Sequence, residues 1–95
     1  MQAHTFTLSE NKDESRSKDI FFNSYQNEKE FIITCKGDFE LLTLCLNNSQ
    51  GQTDSEPFYK ENLGVKYIKE PYHNFLVLEK SEPLPSPIEI TIHIF

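Results

Sequence analysis

The sequence predicts a mainly β protein, a small antiparallel β-sandwich or open barrel of six to seven short strands with at most one short helix. Three observations carry this. The apolar residues gather in short blocks at 31–33, 39–46, 65–68, 75–78 and 88–95, rich in β-branched and aromatic side chains and short for helices. Between them lie stretches almost without apolar side chains, at 9–18 and 47–56. The final block alternates without a fault: Ile88, Ile90, Ile92 and Ile94 point one way, and Glu89, Thr91, His93 and Phe95 the other.

Ninety-five residues form one domain, residues 1–95, with no repeat of solenoid or propeller spacing. Hydrophobic residues are only 37% of the chain, yet their clustering argues against disorder. A chain of this size hides about two-thirds of its unfolded surface, and ordering each residue costs about 1.5 kcal/mol. Every apolar block is therefore expected in the core.

Taken in order, residues 4–8 alternate and form a first strand. Residues 9–18 are polar all round and predict a soft loop. The patch around Ile20, Phe21 and Phe22, at 19–25, predicts a strand. Phe31, Ile33 and Cys35 alternate with Ile32, Thr34 and Lys36, and Gly37-Asp38 suits a two-residue turn with glycine at positive φ. The run 39–46 is apolar on both faces from Leu41 onward, as a central strand would be. Together these segments predict a hairpin. Residues 47–56 predict a second soft loop. Ser55, Glu56 and Pro57 in front and Gly64 behind punctuate a short helix over 55–63, packed through Phe58 and Leu63. In the alternative, an α+β fold, that helix covers one sheet face. A second hairpin is expected from 65–69 and 75–80 around a turn at 70–74. Three prolines in 81–87 make an extended strap leading to the terminal strand.

Nine Lys and Arg against 15 Asp and Glu leave a net charge of −6, which argues against direct nucleic-acid binding along phosphates. No apolar run approaches the ~20 residues that span a bilayer, and Met1-Gln2-Ala3-His4 lacks the features of an export signal, so no membrane role is expected. Two cysteines are too few for a disulfide scaffold. With a turn at Gly37-Asp38, Cys35 and Cys45 would lie about 17 Å apart, beyond the ~7 Å limit for a bridge. Both are expected as reduced core thiols, which points to the cytoplasm.

His4, His73 and His93 lack the spacing of a zinc site, so no metal or cofactor is expected. His4 and His93 lie in the two terminal strands and could approach each other if those strands are neighbours. Asn47-Asn48-Ser49 matches the glycosylation tripeptide, but a cytoplasmic chain never meets the transferase. The carboxylates cluster at Glu10, Asp13 and Glu14, at Asp54, Glu56 and Glu61, and at Glu79 and Glu82. None forms a calcium loop, and a minimal core leaves little wall for a glycosidase cleft. Phosphate loops, dinucleotide fingerprints, nucleophile elbows and HExxH are absent from the sequence, so the chain is not expected to be an enzyme.

The expected function is that of a small acidic protein-binding module, an inhibitor or immunity-type protein. It would occlude a basic active site or nucleic-acid-binding surface of a partner protein. The candidate partner-binding residues are Asp54, Glu56, Phe58, Tyr59, Glu61 and Tyr72, aromatics flanked by carboxylates that would steer and anchor a basic surface. The alternative is a homo-oligomeric β assembly protein. In it the terminal strand, through Ile88, Ile90, Ile92 and Ile94, recruits a second copy into a homodimer, unless that strand lies inside the sheet.

Overall fold

The computed structural model describes residues 2–10, 16–23, 25 and 27–95. The centre of the soft loop at 9–18, with Asp13 and Glu14, lies outside the described residues, as does Ser24. Among the described residues eight strands are formed: β1 (Gln2–Leu8), β2 (Ile20–Phe21), β3 (Glu30–Lys36), β4 (Leu41–Asn47), β5 (Thr53–Tyr59), β6 (Tyr67–Ile68), β7 (Phe75–Lys80) and β8 (Ile88–Ile94). They build two four-stranded antiparallel sheets, ordered β1-β8-β3-β6 and β2-β7-β4-β5. This is the β-sandwich the alternating blocks predict. Strand 1 pairs with 8, 2 with 7, 3 with 6 and 4 with 5, so the chain is one long hairpin wrapped around a core, the topology of a jelly roll. No helix among the described residues is long and apolar enough to cross a membrane.

The period-two patterns decide the faces. Ile88, Ile90, Ile92 and Ile94 are at most 1% exposed and share one apolar cluster with Phe31, Ile33, Leu42, Leu44, Leu76 and Leu78. Strand β8 is paired on both edges, by β1 and by β3. The four isoleucines are therefore core of their own chain and have no surface to offer a second copy. The strap at 81–87 carries β8 from one sheet to the other, and Leu84 within it is buried.

Neither expected hairpin forms. β3 and β4 lie in different sheets, and the link 37–40 crosses the end of the sandwich. Phe39, in that link, turns inward to 2% exposure and stacks on Phe58 with ring centroids 6.3 Å apart. A tight turn would have kept that ring on a strand; burying it at the end of the core draws the chain across instead. β6 and β7 likewise sit in different sheets.

The true hairpin joins β4 to β5, where the second soft loop and the helix were expected. Asn48 closes its turn: its Oδ1 accepts from the N–H groups of Gln50 (3.0 Å) and Gln52 (2.9 Å), and its Nδ2 donates to Gln52 Oε1 at 2.7 Å. Only one 3₁₀ turn, Lys60–Asn62, follows β5, so the expected helix over 55–63 is a strand plus a turn. Pro57 is compatible because β5 is an edge strand.

A buried carboxylate ties the start of β1 to the 23–28 connection. Glu28 is 3% exposed, and its Oε1 accepts from Asn23 N–H (2.7 Å) and from Gln2 Nε2 (2.6 Å). Burial alone would raise its pKa, but hydrogen bonds led by those two donors outweigh it and hold the group below its ordinary 4.5. A depressed native value stabilises the fold above the unfolded pKa, and the contribution is lost as pH falls through the native value. Urea midpoints are expected to drop on acidification below about 4.5. In Glu28→Gln that drop should shrink, with about 1–3 kcal/mol already lost at neutral pH.

Candidate protein-binding site

Strand β5 is where the carboxylates and aromatics singled out in the sequence meet the surface. It borders its sheet, pairing only with β4. Its alternation sends Asp54, Glu56 and Phe58 toward the opposite sheet, and Thr53, Ser55, Pro57 and Tyr59 to the outer face. The opposite sheet covers only part of this line, because β6 is two residues long. Phe58 meets that cover: it is wholly buried, with its ring 6.1 Å from Tyr67. Beyond it the same face opens to solvent, and there the sequence switches to Glu56 and Asp54, both exposed. Inward-pointing charge at an edge also discourages pairing with stray strands.

Asp54 borders a shallow recess of about 410 Å³, lined also by Asn48, Gln52, Tyr72 and His73. His73 is 5% exposed. Its Nδ1 accepts from the Glu70 N–H at 3.1 Å, so Nε2 carries the proton and donates to Asp54 Oδ2 at 2.7 Å. The Tyr72 ring stands edge-on to this imidazole, 4.6 Å between centroids, and remains 56% exposed. The imidazole thus fixes one carboxylate oxygen while the rest of Asp54 faces solvent. Glu56 acts on Tyr67: burial first, then the negative charge of Glu56, push that phenol above its ordinary range.

The six expected contact residues therefore divide. Asp54 and Tyr72 come together at His73, and Glu56 follows two residues from Asp54 on the same face of β5. Tyr59, 43% exposed, lies on the other face of β5, and Glu61 is exposed on the 3₁₀ turn beyond the strand's end. Phe58 cannot touch a partner, because it belongs to the core. Tyr59 N–H donates to Asn62 Oδ1 at 2.9 Å, which pins that turn against the strand. Among the described residues, Asp54, Glu56 and Glu61 have no Lys or Arg partner. Asp19, Glu30, Asp38 and Glu89, by contrast, pair with Arg16, Lys66, Lys60 and Lys36.

His73, Asn48 and Gln52 were not among the candidates. His73 follows Tyr72 in a turn and carries no pattern of its own; the pairing that matters is made 19 residues away. The Asn-rich approach to Gly51 was the available signal for the turn, since Asn side chains bond backbone two residues on. His4 and His93 do sit on neighbouring strands, but His4 pairs with Ile92 and His93 with Ala3, so the imidazoles occupy opposite faces of the sheet. Both thiols are free, on separate sheets. Cys35 is pushed up by burial and by Asp38, which disfavours its thiolate. The sequence matches no model of a known protein family and no curated protein.

Proposed function

We propose that this protein is an acidic binding module, an inhibitor or immunity-type protein rather than an enzyme. It would cover a basic active site or nucleic-acid-binding surface of another protein. One observation carries the proposal: Asp54 and Glu56 stand side by side on an exposed edge, with no Lys or Arg partner among the described residues, beside the exposed ring of Tyr72. Desolvating a carboxylate is costly unless hydrogen-bond donors or an opposite charge replace the lost water, and Lys or Arg side chains supply both, so such an edge favours them. The aromatic supplies apolar area next to them. The net charge of −6 adds long-range attraction toward a basic surface. Two free thiols fit a reducing compartment such as the cytoplasm.

A lysine-rich peptide serves as the probe in stopped-flow association. Binding should weaken steeply with salt, and Glu56→Lys with Glu61→Lys should slow association about tenfold at low ionic strength. Asp54 is left in place so that its bond to His73 is undisturbed. An association rate that ignores both salt and the two reversals overturns the proposal.

A further inference from the structure

Two long strands border the sandwich, β1 and β5, and only one of them is protected. Phe95 and Glu30 exchange both backbone hydrogen bonds, at 2.9 Å. By antiparallel alternation, the odd residues of β8 then bond β3 and its even residues bond β1. The even residues of β1 face β8 in turn, which leaves the N–H and C=O groups of Ala3, Thr5 and Thr7 directed away from the sheet. Among the described residues nothing pairs with them. On β5 the odd residues face outward by the same logic, since Asn48 N–H donates to Gln52 O across the turn. There Pro57 has no N–H, and that of Tyr59 is taken by Asn62. Asp54 and Glu56 flank the same stretch. β1, by contrast, reads Gln-Ala-His-Thr-Phe-Thr-Leu, with no charge, proline or glycine.

From this contrast we infer that β1 is a homodimer interface, in which β1 of a second copy adds antiparallel across a two-fold axis at Thr5. In that register Thr5 lies opposite Thr5, and Ala3 opposite Thr7. Every outward N–H and C=O of both strands then meets a partner, as in any ladder of hydrogen-bonded pairs. His4 of one copy falls opposite Phe6 of the other, on the face that looks into a groove of about 390 Å³ between β1 and residues 16–20, where Arg16, Lys18 and Asp19 line the far wall. The occupant is a second copy because the strand is complementary to itself in this register. It is also an uncharged stretch through which two molecules of charge −6 can meet with little repulsion. The inference is independent of the acidic site on β5 and relocates the expected homodimer from β8 to β1.

Sedimentation and residue-resolved amide exchange test it together on the full chain. The protein should be dimeric at millimolar concentration. Amide protection at Thr5 and Thr7 should rise about tenfold or more on concentration, while His4 and Phe6 are protected throughout. Thr5→Pro removes one outward N–H, and Thr5→Lys sets two like charges together at the axis; each should give a monomer. Thr5→Lys leaves the backbone unchanged and serves if the proline variant misfolds. A wild-type monomer at millimolar concentration overturns the inference. So does a dimer whose odd β1 amides stay unprotected, or one that survives Thr5→Lys.

Discussion

Phe58→Ala is expected to cost about 3–5 kcal/mol of folding stability, a large share of the ~5–15 kcal/mol that holds a domain of this size. The ring is wholly buried and lies between Phe39 and Tyr67, at 6.3 and 6.1 Å. It is also the one buried residue of β5, so it is the one side chain that seats that edge strand in the core, beside the backbone ladder to β4. Removing it leaves a cavity at the closed end of the sandwich and frees the strand that carries Asp54 and Glu56. A urea titration should show the midpoint fall sharply for Phe58→Ala and much less for Phe58→Leu. Binding of a basic probe should be lost only in proportion to unfolding. A midpoint unchanged in Phe58→Ala, with binding abolished, would make the ring a contact instead of an anchor.

Gly37→Ala is the second large effect, at about 2–4 kcal/mol. Gly37 has φ +115°, where L side chains are strained, and a Cβ there would stand 2.8 Å from Ile88 Cγ2. The crossing from β3 toward β4 thus passes hard against the first residue of β8, and neither can shift without opening the core. Gly51, at φ +85° in the β4–β5 turn, has nothing within 4 Å of such a Cβ. Gly51→Ala should therefore cost only about 1 kcal/mol, from backbone conformation alone. Thermal unfolding separates the two, since about 1 kcal/mol moves Tm by about 4–8 °C in a domain near this size. Equal losses at both glycines would remove the packing argument.

The strands that were legible are those with one face buried by their own alternation. β8 is the clearest, because four isoleucines in period two have one consistent way to lie. β5 was illegible for the opposite reason. Six of its seven residues are exposed, so no hydrophobic period exists to read, and Pro57 with Gly64 mimics helix punctuation. The site inherits this asymmetry. Asp54, Glu56 and Tyr72 are visible as acidic and aromatic residues, but the imidazole that holds Asp54 beside Tyr72 is brought in by the loop between β6 and β7.

Local sequence determined that this chain is made of short strands, which side of each faces inward, and that its charge is negative. Tertiary structure decided which strands are neighbours. Local alternation is satisfied equally by a hairpin or a crossing, and the choice at 37–40 was made by burying Phe39 in a core that exists only once both sheets have formed. The same global choice put β8 between two partners and left β1 at the border. That is why the exposed backbone of Ala3, Thr5 and Thr7 could not be read from their side chains.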